Sequence, residues 1–168
     1  MSHLTQPLRD EHKELFPHIE RLRTVADAIG ITPLSSLRQQ IDEAYTFLSR
    51  QLIPHAQAEE RALYPVVGKL MGAPDATATM SRDHVAIGRL TEELGVLRAS
   101  LESERLDASE VQALRRVLYG LSALVAVHFA KEEEVYLPLL DTHLSQEEAR
   151  HLFAMMEQAA QEAKRAIR

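Results

Sequence analysis

Cysteine is absent from this chain of 168 residues, glycine is scarce at 6, and aromatics make up 5%. Without cysteine there is no disulfide, no zinc–thiolate site, no iron–sulfur cluster and no thiol nucleophile. Any metal must be held by nitrogen and oxygen. The apolar/polar alternation of β-strands is lacking as well. No apolar run approaches the ~18 residues of a membrane span. Residues Met1 to Pro7 lack the charged-then-apolar pattern of a secretion signal. The expectation is a cytoplasmic protein with no membrane partner. A basic excess is missing too: the net charge is −6 and the pI about 5.7, which argues against a nucleic-acid partner. No nucleophile elbow, phosphate loop or nucleotide fingerprint is present.

What remains is 45% hydrophobic and 26% charged, an ordinary globular balance. The length suits one domain, residues 1–168. The apolar residues recur at alternating steps of three and four, the signature of helices. Leu8, His12, Leu15, Ile19, Leu22, Ala26 and Ile29 mark a first helix, ended by Gly30. Leu37, Ile41, Ala44, Leu48, Leu52, His55, Glu59 and Ala62 mark a second, running to about Leu70. Pro17 and Pro54 should bend these two helices. A third runs from about Asp75 to Glu102 through Met80, His84, Ile87, Leu94, Leu97 and Leu101. A fourth opens on Asp107-Ala-Ser-Glu110 and carries Val111, Leu114, Leu118, Leu121, Val125, His128, Glu132, Val135 and Leu139. A fifth opens on the capping box Ser145-Gln-Glu-Glu148 and turns Leu152, Met155, Ala159 and Ala163 inward. The expected fold is all-α: an up-down-up-down four-helix bundle over about residues 4–140, with an additional C-terminal helix over about 145–167.

The chain also repeats itself. His12 pairs with His84 at an offset of 72 and His55 with His128 at an offset of 73. Both His55 and His128 are followed by glutamates four and five residues on and by proline ten on. Measured along antiparallel helices, the four histidines fall near one level, and each His-x-x-x-Glu turns both side chains inward. A lone histidine on an apolar stripe is ordinarily a core residue. Four at one level with Glu59 and Glu132 are not, because two buried carboxylates need a compensating charge. No lysine or arginine falls on these stripes, so a metal cation is expected. His3, His18, His143 and His151 are expected at the surface. Glu60 and Glu133, turned about 140° from their histidines, should be exposed or support a ligand. Glu11 and Asp83 either orient a neighbouring ligand or are surface charges. One of Tyr45, Tyr64, Tyr119 and Tyr136 could approach the metal, and the sequence does not choose it.

Imidazole with carboxylate suits iron, manganese or zinc. Six ligands exceed one zinc. Two metals bridged by Glu59 and Glu132, each with two histidines and an oxo or hydroxo bridge, fit better and leave about one open position per metal. His12, His55-x-x-x-Glu59, His84 and His128-x-x-x-Glu132 on successive helices resemble the hemerythrin-like HHE cation-binding family, as does Leu15-Phe-Pro-His-Ile-Glu20. The resemblance covers about residues 4–140. It implies a non-haem diiron centre that binds or reacts with O₂, NO or peroxide, or alternatively a sensor or iron-handling module without turnover that signals to a protein partner or homodimer. The oxygen-carrying members have a second histidine four after the one on their third helix; here that position is Gly88, leaving room beside the metal. The ligand set is closer to the branch containing iron-centre repair proteins and iron or oxygen sensors.

Overall fold

The computed structural model describes residues 3–101 and 105–167. Its described residues form helices and no strand. The first, α1, is Gln6–Ala28; α2 spans residues 34–70; α3 is Ala78–Ser100; α4 is Ala108–His143; α5 is Gln146–Ala166. The third helix starts three residues later than the sequence suggests. Ala73–Thr77 instead forms tight turns, with Ala76 N–H on Ala73 O and Ala78 N–H on Asp75 O, and Pro74 disfavours helix in the residue before it. The expected end at Glu102 lies outside the described residues. Gly30 and Gly72 take φ of 84° and 68° just past the ends of α1 and α2, the left-handed conformation that stops a helix with least strain. Asp107 with Glu110, and Ser145 with Glu148, form the two reciprocal capping boxes that open α4 and α5.

The prolines of α2 and α4 do not break the rods. Each follows a widened, π-type turn: Leu48–Leu52 before Pro54, Glu59–Leu63 before Pro65, Glu132–Tyr136 before Pro138. The residue ahead of each proline donates its N–H five residues back, Ile53 to Leu48 O, Tyr64 to Glu59 O and Leu137 to Glu132 O. Proline has no N–H and its ring crowds the carbonyl four residues behind. One extra residue in the turn absorbs both problems. Pro17 sits within an uninterrupted α1.

The widened turn of α4 shifts the inward face by one residue. Val135, placed inward by a strict 3-4 pattern, is 51% exposed, while Tyr136 and Leu140 are buried. On α5 the buried stripe runs Ala149, Leu152, Met156, Ala159, Ala163, and Met155, expected inward, is exposed.

Short connections make successive helices antiparallel. α1 packs on α2 and α4, and α3 packs on the same two, closing a four-sided bundle; α5 lies outside it, against the middle of α2. α4 has the length and apolar composition of a membrane-crossing helix, but here it packs against α1 and α3. The core is split. One apolar cluster includes Leu15, Leu52, Ile87, Val125 and Phe129; the other includes Leu8, Ala62, Met80, Tyr136, Leu152 and Met156, and so depends on α5. Between these clusters sit His12, His55, Glu59, His128 and Glu132, all buried.

Gly95 and Gly88, seven residues apart on α3, have different roles. A Cβ on Gly95 would stand 2.9 Å from the Tyr45 ring, itself covered by the Arg98 guanidinium. A Cβ on Gly88 would meet nothing within 4 Å, so Gly88 is not a close-packing residue. Gly95→Ala should therefore lower stability by about 1 kcal/mol after its helix-propensity gain, and Gly88→Ala should raise it by up to ~1 kcal/mol. Urea denaturation of the two variants checks this; shifts of the same sign would refute the assignment.

Candidate metal centre

The four helices each deliver a histidine to one layer, and α2 and α4 each add a glutamate. Glu59 and Glu132 are fully buried. Among the described residues their ion-pair partners are histidines; no lysine or arginine reaches them.

Both glutamates divide their two oxygens in the same way. Glu59 Oε1 lies 2.9 Å from His55 Nε2 and 3.7 Å from His12 Nε2, while its Oε2 lies 3.1 Å from His84 Nε2 and 3.8 Å from His128 Nε2. Glu132 Oε2 faces His12 Nε2 at 3.4 Å and its Oε1 faces His128 Nε2 at 3.5 Å. Two clusters result that can each hold a metal ion: His12, His55, Glu59 and Glu132 at a first position, and Glu59, His84 and His128 at a second.

A further set of carboxylates holds the outer nitrogens of the imidazoles. Glu133 Oε1 is 2.9 Å from His12 Nδ1, Glu60 Oε1 2.7 Å from His84 Nδ1, and Asp83 Oδ2 3.0 Å from His128 Nδ1. Glu11 Oε1 is 3.1 Å from His55 Nδ1, at ion-pair distance but without hydrogen-bond alignment. The pattern obeys the repeat. The residue before the histidine on α1 or α3 holds the histidine on the next helix, and the residue after the glutamate on α2 or α4 holds one in the other half. An ionised carboxylate only accepts, so each bonded Nδ1 carries a proton and each Nε2 is turned inward. Three of these carboxylates are anchored in turn: Glu133 by Arg9, Asp83 by Lys131, and Glu60 by Ser81 Oγ at 2.8 Å. Thus Glu11, Glu60, Asp83 and Glu133, which the sequence left between support and surface, all support histidines.

Two aromatic residues break the symmetry. Tyr64 is buried, and its hydroxyl donates to Glu132 Oε1 at 2.9 Å and lies 3.3 Å from both His84 Nε2 and His128 Nε2. It offers one more oxygen to the second position. On a regular helix Tyr64 would point about 140° away from Glu59; the π-type turn between them brings it round to the same side. The X-Pro step after it was the one sequence signal. Phe129 stacks on His12, with ring centroids 4.3 Å apart and planes at 9°. The repeat places Leu137 opposite Tyr64 and Ala56 opposite Phe129, so neither contact recurs. His3, His18, His143 and His151 are exposed.

The donor set fits a cation. His12 Nε2, His55 Nε2, both oxygens of Glu59 and Glu132 Oε2 are buried without a hydrogen-bond partner and converge on one space. Orphaned buried acceptors at such density are costly unless a cation satisfies them. In the metal-free protein protons serve that purpose. Burial alone would lower His55, but the Glu59 charge, with Glu11, holds its pKa well above the ordinary value. Burial opposes protonation of His128 too, yet Glu132 and Glu59 raise it to about 10. Burial raises Glu59, and His55, His12 and His128 overcome it, leaving the carboxylate ionised. Burial and then the Glu59 charge raise Glu132. Burial and both glutamate charges push the Tyr64 phenol far up, so it keeps its proton.

A family model described as "Hemerythrin HHE cation binding domain" matches residues 3–140. No curated protein and no solved structure matches.

A divalent cation must displace the Nε2 proton of His128. Below pH 10 its uptake should release that proton, and its apparent affinity should rise with pH toward about 10, the raised value of His128. Competition titrations between pH 7 and 9 check this; a flat affinity would contradict it. His128→Ala should weaken metal binding by at least ~10–100-fold, the range for losing even a supporting partner. His151→Ala, on the outer face of α5, should leave it unchanged. Equal affinities by equilibrium dialysis would sink the assignment.

Proposed function

The chain belongs to the hemerythrin HHE cation-binding family, and on that premise we propose that it is a non-haem diiron protein whose centre binds or reacts with a small molecule: O₂, NO or peroxide. His12, His55, Glu59 and Glu132 would hold one iron, and His84, His128 and Glu59, with Glu132 Oε1 nearby, would hold the other. The observation that carries this reading is the division of both carboxylates between two histidine pairs. One chelating site would not need either glutamate to face two ways. Manganese or zinc would suit the same donors by ligand type.

A bound iron pair supplies electrons in twos to an oxidant. The chain's own residues set the conditions. The outer carboxylates orient each imidazole and raise its basicity. The apolar clusters above and below the layer exclude water. The Tyr64 hydroxyl, which keeps its proton, donates it in a hydrogen bond to Glu132 Oε1 beside the second position and so fixes that carboxylate. Gly88, one turn after His84, places no side chain there and has open space where a Cβ would stand.

A second reading is favoured by α5. It packs against the stretch of α2 that carries His55 and Glu59. Occupancy of the centre could thus reach the outer surface through one helix, as a sensor of iron or of a diatomic gas requires.

Metal analysis of anaerobically iron-loaded protein, with absorption spectra before and after O₂, tests the proposal. Two irons per chain and an oxidation-dependent spectrum are expected, with Glu59→Ala losing both. One tight iron that Glu59→Ala does not disturb would refute it.

A further inference from the structure

The two halves superpose in sequence, and comparing equivalent positions shows where the shell around the centre is closed and where it is not. In one half, the outside of Glu133 is sealed. The Arg9 guanidinium bonds Glu133 Oε2 at 2.5 Å and Asp141 Oδ2 at 3.3 Å, and Thr5 bonds Asp141 through both its N–H, at 2.8 Å, and its hydroxyl, at 3.0 Å. The repeat sets Ser81 opposite Arg9, Glu60 opposite Glu133 and Gly68 opposite Asp141. The plug is therefore missing from the other half: a hydroxyl replaces the guanidinium and a hydrogen replaces the carboxylate.

A cavity of about 610 Å³ lies there, lined by Glu60, Tyr64, Pro65, Gly68, Ala73 and Thr77 among others. Gly68 helps shape it. The turn after α2 folds back so closely that Ala73 N–H bonds Gly68 O at 3.1 Å, and a Cβ on Gly68 would meet Ala73 O at 3.3 Å. Tyr64 is the inner wall. Its ring lines the cavity while its hydroxyl touches His84, His128 and Glu132. Of the four histidines His84 is the most exposed, at 8% against 5% for His12, 3% for His55 and 2% for His128, so the cavity approaches the second position from the His84 side. On the α5 side, the cavities beside the first position end at Glu11, which supports His55, and not at a residue touching the inner nitrogens.

We infer that the external ligand reaches the second metal position, that of His84 and His128, through the cavity between the end of α2 and the start of α3, with the Tyr64 ring as its gate. This rests on the two-metal reading above. The guest is small and uncharged. The Tyr64 ring stands between the cavity and the metal position, so a guest of few atoms passes on a side-chain movement, and Glu60 and Lys69 together give the lining no net charge with which to draw in an ion. NO, O₂ and hydrogen peroxide meet both conditions.

The test is the rate of NO association with the iron-loaded protein by stopped flow, with iron content measured on every sample. Ser81→Arg restores the missing guanidinium beside Glu60, and Ala73→Trp fills the cavity from its opposite wall. Each should slow association by ~10-fold or more, as expected when binding must wait on a conformational change, with two irons retained. Tyr64→Ala should accelerate it. Glu14→Trp, in the cavity that ends at Glu11, should leave the rate unchanged. Unaltered rates in both Ser81→Arg and Ala73→Trp at full iron content would overturn the route, as would equal slowing by Glu14→Trp. If Tyr64→Ala does not fold, the two blocking variants and the Glu14 control decide the matter alone. Failure of the wild-type chain to take up two irons is a different result. It overturns the two-metal reading, and the route with it.

Discussion

Two carboxylates with no solvent exposure and no lysine or arginine beside them are the constraint on which the rest of this molecule is arranged. Burying an ionised carboxylate without compensation costs far more than any single packing contact returns. The bundle meets that cost locally, by surrounding Glu59 and Glu132 with four imidazoles whose outer nitrogens are tied to further carboxylates. The same arrangement divides the hydrophobic core. Apolar side chains cannot occupy the layer, so they collect above and below it. The upper cluster, that of Leu8, Tyr136 and Leu152, needs α5, which explains why a fifth helix attaches to a bundle that four helices would otherwise close.

The duplicated hairpin explains the economy of the design. A histidine and a following carboxylate on one helix pair, repeated once, generate an inner shell and an outer shell together. The π-type turns are part of that unit. They recur at Glu59 and Glu132, each set by a proline six residues on. Insertions of this kind are frequent at functional sites. Here the physical effect is specific: one added residue rotates the following turn, so that a side chain five residues after the glutamate returns to the centre. In the first half that side chain is Tyr64. In the second it is Leu137, which is fully buried in the upper cluster. An otherwise two-fold centre thus acquires one polar and one apolar side.

Much of this was legible in the sequence, for identifiable reasons. The helices and their order follow from 3-4 spacing, and the two capping boxes mark α4 and α5 to the residue. The bundle, its added C-terminal helix and the family follow from motifs that survive any shift of register. The placement of side chains within the widened turns that precede Pro65 and Pro138 did not follow. Helical-wheel arguments assume 100° per residue, and a widened turn violates that, which is why Val135 was placed inside and Tyr136 was not. The same assumption hid Tyr64 and left the four outer carboxylates undecided. Which of two acidic neighbours reaches an imidazole on another helix depends on the distance between helices, and no single-helix pattern carries that information. Met155 and Met156 were a plain ambiguity, because a stripe of spacing three or four admits either from Leu152.

Charge adds a reason to favour two cations over one. Glu59 and Glu132 contribute two negative charges, and Glu11, Glu60, Asp83 and Glu133 contribute four more. Arg9 and Lys131 return two. With neutral imidazoles, that count leaves four negative charges, with Glu59 and Glu132 fully buried and Glu11, Glu60 and Glu133 partly open to water. A single divalent ion halves that, and two cancel it. The metal-free protein reaches partial balance by protonating His55 and His128, whose raised pKa values follow from the buried Glu59 and Glu132 charges. Protons and metal therefore compete for the same Nε2 atoms. A centre built only to staple the bundle would gain nothing from an outer ring of carboxylates that adds negative charge behind its imidazoles. That ring makes sense where the charge of the bound ions must change. Extra negative charge around the imidazoles stabilises the higher oxidation state of a metal, which favours a redox-active pair over a structural one.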